Sequence, residues 1–259
     1  MPGSAPARAT AAAGAASESD LSAPLGPGDR VLFRDSKGRR YLVTLAEGGR
    51  FHSHAGAVDH AQVIGRAEGV AVRSATGARF LVVRPTLAEV VLTMPRGAQV
   101  VYPKDLGAIL VAADVFPGAR VLEAGVGSGA LSMALVRAGA SVVGYELRPD
   151  FAATAMANVA AALPGEAADR YRVEERDAYE GIAETGLDRV VLDLPEPWRV
   201  VAHARAALRP GGILLAYLPS IHQVSQLRGD LAVSGFGLAE TFEVLHRGWH
   251  VEGRAVRPD

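Results

Sequence analysis

The chain has 259 residues, 49% of them hydrophobic and 21% charged, with a formal net charge of −1 and no cysteine. That is ample material for a buried core, and it excludes disulfides and thiolate metal sites. No run of about 18 apolar residues is present to span a bilayer, and the Ala/Gly-rich N-terminus lacks the leucine-like core of a signal peptide, so a cytoplasmic protein is expected.

The charge is unevenly divided. Residues 21–104 carry 12 Lys/Arg against 6 Asp/Glu, whereas residues 105–259 carry 14 against 20. A basic first half joined to an acidic second half points to an anionic partner held mainly by the first, with ordinary solvated charge as the competing account.

In chain order, residues 1–20 (MPGSAPARATAAAGAASESD) have almost no large apolar side chains to offset the entropy of ordering, which predicts a disordered tail. Residues 21–95 give the short apolar or alternating runs RVLFRD, RRYLVTL, RFLVVRP and EVVLTM between Gly-rich breaks such as KGRR and EGGR. They predict a small β domain. Its Arg30, Arg34, Lys37, Arg39 and Arg40 are the candidate phosphate contacts. His52, His54 and His60 invite a metal reading, but no cysteine or second cluster completes a tetrahedral set, and no metal is assigned.

Over residues 96–259 the pattern changes. Asp105 is placed to cap a helix over LGAILVAADV. Strand VLEAG, helix ALSMALVRAG, strand SVVGYE, helix FAATAMANVAAAL, strands YRVEER and DRVVLDL, helix WRVVAHARAAL and strand GGILLAYLP follow. Helix SIHQVSQLRGDLAVSG and an extended run LAETFEVLHRGWHV come next. Near-continuous apolar strands alternating with helices predict an α/β fold, a Rossmann-like doubly wound parallel sheet covered on both faces. Ligands then bind at the carboxyl ends of the strands.

The stretch EAGVGSGA can be read in two ways. As G-x-G-x-x-A from Gly125, Gly127 and Ala130 it is a dinucleotide fingerprint; as E-x-G-x-G-x-G from Glu123 to Gly129 it is an S-adenosylmethionine (SAM) pattern. Either way the glycines admit close backbone approach, and the N–H groups of Ser128, Gly129 and Ala130 at a helix start suit a carboxylate or a phosphate. Glu146, at the next strand end, can accept both hydroxyl protons of a ribose, and Asp177 in ERDAY can accept from an adenine amino group. VVLDLPEPW breaks the tie. Asp193 ends a strand beside the turn, Pro195 and Pro197 stiffen the chain after it, and Trp198 offers a planar face. An aminopurine being alkylated needs that set: an aspartate bonds its amine and stabilises the charge developing on the ring, while an aromatic face stacks on the extruded base. A nicotinamide enzyme would need a second nucleotide half-site, and none is found after GGILLAYLP.

With FHSHAGAVDHAQVIG, QVVYPKDLGAIL, EAGVGSGALS, YELRPD, DLPEPW and FEVLHRGWHVEGRAVRP, the chain resembles the bacterial and archaeal tRNA adenine-N1 methyltransferases that modify the T-loop adenine at tRNA position 58. The likeness implies a class I SAM-dependent methyltransferase fold with a small N-terminal β domain for RNA binding or oligomerisation. It also implies SAM as cofactor, tRNA as partner, no membrane and a homotetramer. Gly125 and Gly127 would belong to the cofactor turn, and Ser128, Gly129, Ala130 and Leu131 would line the methionine end. Glu146 would hold the ribose, Phe151 would be a neighbouring contact, and Asp177 would meet the adenine. Asp193 would be the catalytic carboxylate beside both the base and the methyl group. Tyr102 of YPKD would be an active-site aromatic, with Gln99 on the same approach to the cofactor. The chain departs from the family in one respect: it stops at Asp259, before a histidine-containing turn and a last sheet strand; either the sequence is truncated or another segment fills that place, and without a replacement the sheet would expose a long unpaired edge. The alternatives are methylation of another RNA base or a small molecule, and a non-catalytic tRNA-binding subunit; the intact turn and Asp193 speak against the latter.

Overall fold

The computed structural model describes residues 23–97, 99–163 and 165–259. The tail expected over residues 1–20 lies outside them. Two compact units divide between Arg84 and Pro85.

The first unit contains β1 (Arg30–Asp35), β2 (Arg40–Thr44), β3 (Arg50–Ser53), β4 (Gly56–Asp59), β5 (Val70–Arg73) and β6 (Arg79–Val83). Four of these form an antiparallel sheet in the order β2-β1-β6-β5, while β3 and β4 pair as a separate hairpin. Side chains alternate across a strand, so register decides which residues share a face. Phe33 stands opposite Tyr41 and Val82 on the face that packs, with Phe51, Val58, Val72 and Phe80, into this unit's core. Arg34 stands opposite Arg40 and Leu81, and Arg73 opposite Arg79, on the other face. His60 is buried, and its Nδ1 accepts the Ala46 N–H at 3.0 Å, a structural use that takes one ring nitrogen. Among the described residues no group of acids and histidines could hold a metal ion.

The run EVVLTM is not a strand. Residues Leu87–Thr93 form helix α1, opened by a capping box in which the Thr86 side chain accepts from the Glu89 N–H and the Glu89 carboxylate accepts from the Thr86 N–H. Leu87, Val90, Val91 and Met94 turn to the core at helical spacing. So short an apolar run carries no clear period, and the cap decides. Asp105 is likewise not a cap: α2 (Pro103–Ala112) begins with Tyr102 at the N-cap and Pro103 inside the first turn, so Asp105 falls in that turn, buried.

The second unit continues with β7 (Arg120–Ala124), α3 (Ala130–Arg137), β8 (Ser141–Glu146), α4 (Pro149–Ala162), a short α5 (Glu166–Asp169) and β9 (Tyr171–Glu175). Next come β10 (Leu187–Leu192), a 3₁₀ turn at Pro197–Val200, α6 (Val201–Ala207), β11 (Leu208–Ala216) and α7 (Ile221–Val233). The five strands pair in parallel in the order β11-β10-β7-β8-β9. Val121 and Val191 face one apolar cluster with α3, while Leu122, Val190 and Leu192 face another with α6. Both faces of the sheet are therefore covered, as continuous apolar strands require. Of the extended run expected near the end, only β12 (Trp249–Glu252) is a strand. It pairs with β13 (Ala255–Pro258) in a hairpin separate from the five-stranded sheet, in which β11 is an edge strand.

Candidate active site at the sheet switch point

In this strand order the chain winds one way from β7 through β8 to β9 and the other way through β10 to β11, so a crevice opens between the carboxyl ends of β7 and β10. Residues 125–129 leave β7 there. Gly125 has φ +86° and Gly129 φ +83°, in the left-handed region. A Cβ on Gly125 would run into the Asp193 carbonyl, and one on Gly129 would lie 3.2 Å from Ala155. The Asp193 N–H donates to the Ala124 carbonyl at 2.9 Å, fixing the end of β10 against the turn. The glycines are thus required by close approach on both sides, and the turn ends at the first-turn N–H groups of α3, which have no carbonyl partner within the helix.

Three acids gather at this turn. Glu146 is buried, and its two oxygens accept the N–H groups of Gly127 and Arg148, each at 3.0 Å. Glu123 is fully buried on β7; one oxygen accepts from the Ser132 hydroxyl at 2.6 Å, and that hydroxyl accepts from Tyr171 at 3.0 Å. Its other oxygen has no partner among the described residues. Burial pushes the Glu123 carboxyl up to about 8, and the charges of Asp193 and Glu146 add to the rise. Asp193 is half-buried, and desolvation pushes it up to about 6.

Across the crevice, Tyr217 follows β11 with its N–H bonded to the Leu192 carbonyl at 2.9 Å. Its hydroxyl donates to Asp105 at 3.1 Å, and Lys104 donates to the other Asp105 oxygen at 2.7 Å. Burial, the bond to Asp105 and the nearby charges of Asp105 and Asp193 push Tyr217 up to about 12.

The fold brings Gly125, Gly127, Ser128, Gly129, Glu146 and Asp193 together at the crevice. Ala130 and Leu131 put their side chains in the core, which leaves only their backbone N–H groups at the start of α3 to meet a ligand's carboxylate or phosphate, were one bound. Phe151 lies under the Arg148 guanidinium, 3.8 Å from the ring centroid, and beside Gly97. Asp177 follows β9 and accepts the Tyr179 N–H at 2.8 Å; Gln99 is exposed before α2. Among the described residues neither of these two side chains bonds to the turn. Tyr102 is 37% exposed at the α2 N-cap, and Trp198 is half-buried in the 3₁₀ turn. Sequence reasoning missed Tyr217, which the rule that strand ends carry ligands could have flagged, and Asn158, an amide within an alanine-rich helix.

A profile described as the tRNA methyltransferase complex GCD14 subunit matches residues 79–258, and one described as TrmI-like N-terminal matches residues 24–72. The chain belongs to this family. It is 42% identical over 231 residues to the tRNA (adenine(58)-N(1))-methyltransferase TrmI of Thermus thermophilus, covering 88% of this chain and 90% of that one. A crystal structure described as a SAM-dependent O-methyltransferase from Thermotoga maritima matches with a TM-score of 0.85 at 32% identity, covering 91% and 88% of the two chains. The tRNA (m1A58) methyltransferase TrmI of Aquifex aeolicus matches with a TM-score of 0.79 at 28% identity, covering 91% and 92%. The second unit has the class I SAM-dependent methyltransferase fold, and SAM is the cofactor. The donor set fits it. The Ser128 hydroxyl is buried with no partner among the described residues, the α3 N–H groups suit a carboxylate, and Glu146 suits a ribose.

Proposed function

We propose that the protein methylates N1 of the T-loop adenine at tRNA position 58. The observation that carries this reading is Asp193, a half-buried residue at the end of β10 whose backbone carbonyl lies against Gly125 of the cofactor turn and whose carboxylate is close enough to raise that of Glu123. The similarity to the T. thermophilus tRNA (adenine(58)-N(1))-methyltransferase supports it. SAM, when bound, supplies an activated methyl group. Gly125, Gly127, Ser128, Gly129, Ala130 and Leu131 hold its methionine end through the backbone, Glu146 its ribose and Asp177 its adenine, with Phe151 and Gln99 alongside. Asp193 accepts a hydrogen bond from the amine of the target adenine, stabilises the positive charge that develops on the ring and can take up a proton from it. Tyr102 presents its ring to the extruded base. Alignment of base and methyl donor is then the main source of rate.

tRNA is held on the first unit by the outer sheet face, where register sets exposed Arg34, Arg40, Arg73 and Arg79 side by side. Arg39 instead pairs with Asp35 at 2.6 Å. A homotetramer is supported by apolar side chains left exposed near the C-terminus, among them Phe242, Leu245, Trp249 and Val251. A cytoplasmic location follows from the substrate, and among the described residues no helix is long and apolar enough to cross a membrane.

The test is incubation with unmodified tRNA and methyl-labelled SAM, then nucleoside analysis. Label in 1-methyladenosine at position 58 is expected. Its absence while SAM binds would overturn the reading. The Thermotoga structure's description names an oxygen acceptor, and label in a ribose or small-molecule product would favour that chemistry.

A further inference from the structure

Helix α4 carries one amide on its buried face. Asn158 is 5% exposed, and its Nδ2 donates twice: to the Ser128 carbonyl at 3.0 Å and to the Pro95 carbonyl at 2.9 Å. Ser128 belongs to the cofactor turn. Pro95 begins the segment that carries Gln99 and ends at Tyr102. Near the start of α4, Phe151 packs on the same segment, so close to Gly97 that a Cβ there would come within 3.0 Å of the ring. One helix therefore grips both the turn that takes the cofactor and the segment that presents Tyr102.

Both bonds leave a single nitrogen, so the two carbonyls cannot move independently without one of them losing its donor. A buried carbonyl without a donor is costly. Displacement of Ser128 when the turn closes on a ligand is thus passed to Pro95 through the amide, and displacement of the segment by a base is passed back.

We infer that Asn158 is a positioning residue that couples occupancy of the cofactor turn to placement of Pro95 and Gly97, which precede Gln99 and Tyr102 in the chain, so that each ligand tightens the hold on the other. The inference rests on the proposed function for the identity of the second ligand. Coupling of this kind is reciprocal: the factor by which cofactor strengthens tRNA binding must equal the factor by which tRNA strengthens cofactor binding.

The experiment measures binding of unmodified tRNA with and without S-adenosylhomocysteine, and of S-adenosylhomocysteine with and without tRNA. The unaltered protein should give the same factor both ways, roughly tenfold. Asn158→Ala and Asn158→Asp should bring the factor close to one while each ligand still binds alone. In turnover, kcat should fall by more than KM for tRNA rises. Should both variants fail to fold, Asn158→Ser keeps one hydroxyl proton, which can serve only one of the two carbonyls, and should likewise bring the factor close to one. Val159→Ala supplies the control for a merely structural role: Val159 is 1% exposed on the same helix, and trimming it lowers the melting temperature without removing either bond. A factor near one in the unaltered protein, a full factor in Asn158→Ala, or equal loss in Val159→Ala would each overturn the inference. Formation of 1-methyladenosine by the unaltered protein is scored separately and tests the functional reading alone.

Discussion

Asp193→Asn should inactivate the protein and, above the carboxyl's titration, stabilise it. Burial raises this carboxyl from 3.8 to about 6. In the unfolded chain it ionises at the lower value and in the fold only at the higher. Below the lower value both states are protonated and nothing is lost. As pH climbs from there through about 6 the unfolded state gains, stability falls, and above 6 the loss is constant. The interval corresponds to about 3 kcal/mol, a ceiling because water relaxes around a half-buried group. Asparagine keeps the shape and never ionises, so the variant should resist urea better than the unaltered protein near pH 8, by roughly 1–3 kcal/mol, and show no such gain near pH 4. Urea unfolding across that range is the assay. A gain of equal size at both ends, or a loss near pH 8, would refute the reasoning. Turnover carries the opposite sign: in the proposed role the ionised form does the work, so kcat/KM of the unaltered protein should rise through about pH 6, and the variant should lose roughly a hundredfold or more.

Three other outcomes can be checked with simpler measurements. Gly125→Ala forces a side chain to φ +86° and into the Asp193 carbonyl, so calorimetry should find SAM binding lost and the melting temperature lowered. Arg34→Glu combined with Arg79→Glu should weaken tRNA binding and reduce the slope of log K against log salt by about 1 to 2, with SAM affinity unchanged. Glu123, pushed up to about 8, contributes stability that is fully present below its ordinary value of 4.5 and is lost as pH rises through about 8. Glu123→Gln does not titrate, so thermal melts should show the variant gaining on the unaltered protein across that window and holding its lead above it.

The alternating strands and helices of the second unit were legible because the central strands β7, β8 and β10 are mostly apolar and the breaks between elements carry glycine or proline, and the glycine turn because its positive φ values and close contacts favour glycine. Asp193 was legible because a strand end, two prolines and an aspartate fall within one short stretch. Where a local signal competed with tertiary context, the reading failed. EVVLTM is as apolar as its neighbouring strands, and only the Thr86–Glu89 pair marks it as a helix. Asp105 has the chemistry of a cap, but Pro103 takes the first turn and the carboxylate turns to Lys104 and Tyr217. Among the arginines, the sequence favoured a cluster close in the chain, Arg30 to Arg40. Strand register instead pairs Arg34 with Arg40 and Arg73 with Arg79 and, because Arg34 stands opposite Leu81, puts both pairs on one sheet face, a grouping across some forty residues that no local pattern announces. Asn158 was illegible for the same reason: its two partners are 30 and 63 residues away.

The fold also separates the two readings that EAGVGSGA allows. A dinucleotide would lay phosphate charges on the N–H groups at the start of α3, and the turn contains no lysine or arginine to meet them. Glu123, Glu146 and Asp193 stand around it, close enough that the latter two raise the carboxyl of the first. A like-charge pair about 7 Å apart costs roughly 2 kcal/mol at an effective dielectric of 20, so Asp193 and Glu146 against a pyrophosphate offset what one helix terminus returns, while Glu123, pushed up to about 8, adds little charge at neutral pH. SAM reverses the arithmetic, with a single carboxylate for the helix start and two cationic centres for the acids. Buried acids that depress stability at neutral pH are intelligible at a site built to receive positive charge. They also make the turn's own electrostatics, as much as DLPEPW, a ground for reading EAGVGSGA as a methyl donor's turn and not a dinucleotide's.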